Sequence, residues 1–160
     1  MQIDLNCDLG EGIGNDKAIM PYITSANIAC GFHAGDEQTM RETLRLAKRF
    51  GVNAGAHPSW NDRENFGRKE MNILPEDAEK LVFEQIQILA AIAKEERVTL
   101  THVKPHGALY NQSSKDVELA TAIARAVKTS SVDLILVGLA GSRSVEAGRE
   151  MGVRVAAEGF

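Results

Sequence analysis

The chain has 160 residues and a mass of 17.4 kDa, with 44% hydrophobic and 25% charged residues, which describes one globular domain with a sizeable core and excludes a disordered segment. Its formal net charge of −4 and sequence pI near 5.6 leave no basic surplus for nucleic-acid phosphates or an anionic membrane. Two cysteines, Cys7 and Cys30, are too few for a disulfide scaffold and fit a reducing cytoplasm; no apolar run nears the ~20 residues of a membrane span, and Met1-Gln2-Ile3-Asp4 shows no secretion signal.

A short apolar run, a Gly- or His-bearing turn and an amphipathic helix recur along the chain. Ile3 to Asn6 reads as the first strand, followed by the glycine-rich Cys7 to Gly14. Asn27 to Cys30 reads as the second, ended by Gly31-Phe32-His33-Ala34-Gly35. Asp36 is the expected N-cap of a helix whose apolar stripe is Met40, Leu44 and Ala47, and Gly51 stops it. Val52 to Ala56 is the third strand, ending at His57-Pro58, and a polar loop runs from there through Trp60 and Phe66 to Leu74.

Pro75 suits the first position of the longest helix, with Glu76 and Asp77 complementing its dipole and Ala78, Val82, Ile86, Leu89 and Ala93 along one face. Leu100 to Val103 is the fourth strand, closed by Lys104-Pro105-His106-Gly107. A helix carries Ala120, Ile123, Ala124 and Val127. Leu134 to Val137 is the fifth strand, Ser142 caps a further helix ending at Gly152, and Val153 to Ala156 is the sixth strand. Strand alternating with helix predicts an α/β fold with a parallel sheet, in which functional groups gather beyond the carboxyl ends of the strands.

That rule makes the polar residues informative. His33, His57 and His106 follow strand ends, Asp8 ends the first strand and Lys104 the fourth, so parallel topology would aim all five into one mouth. A carboxylate with several imidazoles is either a metal set or an acid/base set. His102 falls inside a strand and reads as structural. Asp8-Leu9-Gly10-Glu11-Gly12 sets two carboxylates beside glycines, where backbone can approach a ligand. Gly138 to Ser142 reads as a tight turn plus a cap and lacks a Walker ending. Arg63, Arg68 and Lys69 are candidates to grip a substrate carboxylate. Cys7 and Cys30 read as small buried side chains, and neither Ser59 nor Ser142 has a nucleophile-elbow context.

Five motifs taken together resemble the LamB/YcsF family over the whole chain: Asn6 to Gly12, Ser25 to Asp36, Gly55 to Ser59, Asn65 to Arg68 and His102 to Tyr110. The resemblance implies a seven-stranded, TIM-barrel-like fold of the glycoside hydrolase/deacetylase type. It further implies ATP-dependent opening of 5-oxoproline to L-glutamate, performed in the cytoplasm with separate B and C subunits. Motif by motif, the family's acid falls on Asp8, its histidines on His33, His57 and His106, and its lysine on Lys104. Substrate-binding positions are expected at Glu11, Asn27, Arg68 and Tyr110.

Barrels of this type run to about 250 residues, so residues 1–160 are expected to form a single β/α barrel domain lacking its last strand and helices. In the expected chemistry Asp8 is a base or orients water, His33 and His57 carry protons, and Lys104 and His106 stabilise negative charge. Two other readings remain: a metal-dependent hydrolase or deacetylase with Asp8, His33 and His57 holding a divalent ion, and a non-catalytic assembly subunit. Self-association of the chain is compatible with each.

Overall fold

The computed structural model describes residues 3–159; Met1, Gln2 and Phe160 lie outside them. Six strands, β1 (Asn6–Leu9), β2 (Ser25–Ala29), β3 (Asn53–His57), β4 (Leu100–Val103), β5 (Ile135–Leu139) and β6 (Arg154–Glu158), form one sheet in chain order. Every pairing is parallel. The sheet curls into a half-barrel, and its two edges meet through side chains where Asn6 Nδ2 donates to Glu158 Oε2 at 3.0 Å.

The helices are α1 (Asp16–Ile19), α2 (Glu37–Phe50), α3 (Pro75–Glu95), α4 (Gly107–Ser113), α5 (Val117–Ser130) and α6 (Arg143–Glu150), with a 3-10 turn at Met20–Tyr22. Asp36 caps α2 by accepting from the Thr39 amide at 2.8 Å, and Gly51 ends it with φ 68°, as its lack of Cβ permits. Pro75 opens α3, and Ser142 caps α6, so the sequence signals at these three helices are realised.

Strand alternation sorts the chemistry. Ala26, Ile28, Ala54, Ala56, Val103 and Leu136 face outward into a core with Leu44, Val82, Ile86, Leu89, Ile123 and Val127. Burying each of these larger aliphatic side chains is worth about 1.5–3 kcal/mol. The alternate positions turn polar groups into the barrel. A register shift between β3 and β4, with Ala54 opposite Leu100 but Gly55 opposite His102, leaves Thr101 unpaired and brings His102 inward.

The first strand starts three residues later than the apolar pattern suggests. Ile3 and Leu5 are 72% and 56% exposed, and the Leu5 amide bonds to Thr24 Oγ1 at 2.7 Å. Helix α1, the turn after it and α4 were not expected. In α4, Ala108 and Leu109 are buried, but the helix is only two turns long and too short for a periodic signal.

Candidate functional site

The parallel topology places the carboxyl end of every strand at one rim. Asp8 is the third residue of β1, Glu11 follows in the next loop, His33 lies in the loop after β2, and His57 closes β3. Lys104 follows β4, and His106 stands at the N-cap of α4. The three histidine rings pack together: His33 stacks on His106 with centroids 3.9 Å apart, and His57 meets His106 edge-on at 4.8 Å. His57 Nε2 lies 3.3 Å from Asp8 Oδ2 and 3.0 Å from His106 Nδ1. Glu11 Oε1 lies 3.4 Å from His33 Nε2 and 3.8 Å from His106 Nδ1.

The far nitrogen of each ring decides what the near one presents. His57 Nδ1 donates to the Lys104 carbonyl at 2.6 Å, and His106 Nε2 to the Phe66 carbonyl at 2.9 Å. His33 Nδ1 meets Ser59 Oγ at 2.8 Å; that hydroxyl already donates to the Trp60 carbonyl at 2.9 Å, so it accepts from the ring. With these tautomers, assigned from their acceptors, His33 Nε2 and His106 Nδ1 turn lone pairs toward Glu11, while His57 Nε2 stands between Asp8 Oδ2 and His106 Nδ1. Burial, with the crowding of the other two rings, lowers His106 to about 4, and burial lowers His33, which disfavours the charged form of both.

The loop after β3 is tied down to supply these acceptors. Buried Gln85 bonds both the amide and carbonyl of Ser59, at 2.9 and 2.8 Å. Trp60 is buried and donates to Gln112 at 2.6 Å. Asp62 accepts from Asn65 Nδ2 at 2.8 Å, and Phe66 adopts φ 56°, a conformation rare for a residue with a side chain.

Asp8 differs from its neighbours in being reachable, with 39% of its side chain exposed against 1% for His57. Burial pushes its carboxyl up, but His57, Asn27 and Lys104 more than offset that and hold it well below the usual carboxylate range. Asn27 Nδ2 donates to Asp8 Oδ1 and to Asn6 Oδ1, both at 2.8 Å, which leaves Asn27 Oδ1 to receive His102 Nε2 at 2.8 Å. His102 therefore extends the network down the barrel and braces Asn27 against Asp8. Lys104 Nζ bonds Asn6 Oδ1 at 2.9 Å, pairs with Glu158 Oε2 at 3.1 Å and stands 4.0 Å from Asp8 Oδ1. Tyr110 donates to Glu158 Oε1 at 2.8 Å.

Of the residues expected from sequence, the structure thus gathers Asp8, Glu11, Asn27, His33, His57, Lys104, His106 and Tyr110 at this rim. Arg68 stands over the Phe66 ring at 5.7 Å. Arg63 is occupied with the Gly31 and Gly35 carbonyls, at 2.6 and 2.8 Å, where it braces the His33 loop. Cys7 and Cys30 are free thiols, and burial pushes Cys30 up to about 12, too high for a nucleophile. Asn6 and Glu158 join the site unforeseen. Glu158 sat two residues beyond the apolar run read as the sixth strand, and parity from β1 was the one signal that could have found Asn6.

Asp8, Glu11, His57 and His106 each bring a ligand atom within 4.8 Å of the others, a group that could hold a metal ion. It differs from the set expected from sequence in taking Glu11 and His106 in place of His33. Among the described residues no helix is long and apolar enough to cross a membrane.

The model of the LamB/YcsF family matches residues 3–160. The chain is 53% identical over 165 aligned positions to the A subunit of a 5-oxoprolinase from Chloroflexus aggregans, covering 100% of this chain and 66% of that protein. It is 52% identical to the corresponding 5-oxoprolinase A subunit of Chloroflexus aurantiacus, covering 65% of it. The crystal structure of a lactam utilization protein from Thermus thermophilus superposes with a TM-score of 0.97 at 47% identity, over 100% of this chain and 67% of that one. The chain thus spans just under two thirds of the length of the two curated relatives. Fold, motifs and these likenesses agree that the chain belongs to the LamB/YcsF family.

Proposed function

We propose that the chain takes part in the ATP-dependent hydrolysis of 5-oxoproline to L-glutamate, as the A subunit of an assembly with B and C subunits. The observation that carries this reading is a reachable carboxylate, Asp8, set against imidazoles and a lysine, in a chain similar to proteins named for 5-oxoproline and lactam turnover.

A lactam amide resists water because its nitrogen donates into the carbonyl. Phosphoryl transfer from ATP to the carbonyl oxygen, releasing ADP, makes the ring carbon electrophilic. Water then adds to that carbon and gives up a proton, and the ring nitrogen leaves as it takes one. The glutamyl phosphate so formed is cleaved by a second water to glutamate and phosphate. Asp8, held so far below the usual carboxylate range, is a weak base, so its part is to orient the water. His57, beside it, carries the proton through Nε2, and His106, 3.0 Å away, continues the path. Lys104 faces negative charge on the carbonyl or phosphoryl oxygens, where a preorganised cation counts most.

The test is glutamate release from 5-oxoproline and ATP by the chain assembled with B and C subunits. Asp8→Asn is expected to lower turnover by about 10²–10⁴-fold with the assembly intact. Turnover near wild type in that variant would refute the site, and turnover without ATP would refute the coupling. Complex formation that survives while no site substitution affects turnover would instead favour an assembly role.

A further inference from the structure

The rim holds an imbalance that the proposed reaction does not explain. Three ring nitrogens and two carboxylates face one another, and each ring has spent an N–H on an oxygen behind it. Among the described residues, Glu11 Oε1 and His33 Nε2 are buried without a hydrogen-bond partner, with side chains 10% and 0% exposed. Buried polar atoms left in this state are costly, so such a pair points to a cationic ligand.

We propose that Asp8, Glu11, His57 and His106 form a binding site for one divalent first-row transition-metal ion of the Zn²⁺ class. Their ligand atoms already lie within 4.8 Å of one another. Both histidines carry the signature of ligands, because a backbone carbonyl holds the remote N–H and aims the other nitrogen inward. Two imidazoles with two carboxylates suit a borderline ion, whereas Ca²⁺ and Mg²⁺ favour oxygen donors throughout. A lone proton is the competing occupant. Placed between His57 Nε2 and His106 Nδ1, it relieves that pair but leaves Glu11 Oε1 without a partner, which the ion would take up; His33 Nε2, 3.4 Å from Glu11 Oε1, stays outside the ligand set. When bound, such an ion acidifies water and polarises carbonyl or phosphoryl oxygens. The inference stands on the donor set alone and does not depend on the substrate proposed above.

The experiment uses the purified chain without a histidine tag, stripped with a chelator and titrated with Co²⁺ alone, in the absence of lactam, ATP and other subunits. The expected result is a set of visible absorption bands from nitrogen-ligated Co²⁺, saturating at one ion per chain and abolished by Zn²⁺. Zn²⁺ alone, at about a hundred times its Kd, should raise Tm by roughly 5–10 °C. Glu11→Gln and His106→Gln, each shown to be folded by circular dichroism, should weaken Co²⁺ binding by at least about tenfold. Sub-stoichiometric binding to the wild-type chain would overturn the proposal, as would affinity unchanged in the folded variants. If either variant fails to fold, the wild-type stoichiometry and the remaining variant still decide the matter. The hydrolase reading survives such a failure, since none of these measurements involves turnover.

Discussion

Two polar clusters in this protein have opposite internal balance. On the outer face, Arg41 pairs with Glu37, Glu95 and Glu96 at 2.8–2.9 Å, and Arg45 pairs with Glu96 at 2.8 Å. Donors and acceptors alternate there, the solvent completes what remains, and exposed pairs of this kind are each worth under about 1 kcal/mol. At the rim of the barrel, the carboxylates of Asp8 and Glu11 crowd against the rings of His33, His57 and His106, while His57 and His106 each spend an N–H on a backbone oxygen behind them. A matched cluster is finished by folding, whereas the unmatched and buried one is where we place the proposed ion.

The contrast can be broken most directly through turnover. In the assembly proposed above, His57→Gln is expected to cost about 10²–10⁴-fold in glutamate release, while Arg45→Ala in the outer cluster changes it less than about twofold, since surface pairs far from chemistry move activity little. Equal losses would erase the distinction. Gly55→Ala comes next. A Cβ at Gly55 would overlap the His102 ring, so the variant should lose about 1–3 kcal/mol in denaturant unfolding. It should also lose turnover, through displaced Asn27 and Asp8.

Acid unfolding should separate interior from surface. Burial lowers His102 to about 4 from an ordinary 6.5. Between those values the unfolded chain binds a proton that the folded chain refuses, so stability is full above pH 6.5 and falls toward pH 4, by at most roughly 3 kcal/mol. His102→Gln should remove its share of that slope and leave the share of His106, which is also lowered to about 4. Arg45 and Arg41 hold Glu96 down to about 2, so its contribution is present above about pH 4.5 and is lost as pH falls through about 2. Glu96→Gln should therefore give a small fall in Tm at neutral pH that disappears in strong acid. A single transition window for both variants would show the two clusters titrating as one.

Much of this was legible in the residues because punctuation and chemistry coincided. Asp36, Gly51, Pro75 and Ser142 mark helix ends by local rules, and the site histidines stand at strand ends where a parallel sheet puts function. Strand boundaries drifted because β1 is Asn-Cys-Asp-Leu, a strand with a polar inward face that hydrophobicity cannot outline. Glu11 and His106 as partners were hidden for another reason. Their meeting depends on how the loops fold back, and no spacing along the chain encodes it.

Two of the three rings are oriented by amide oxygens, those of Lys104 and Phe66, and such an anchor is blind to side-chain replacement. Altering residue 66 removes a ring that meets His33 and His106 edge-on at 5.5 Å, but the oxygen that anchors His106 belongs to the backbone and stays. Releasing those two anchors therefore calls for remodelling the path of the chain itself, whereas His33, resting on the Ser59 hydroxyl, can be released with a single codon.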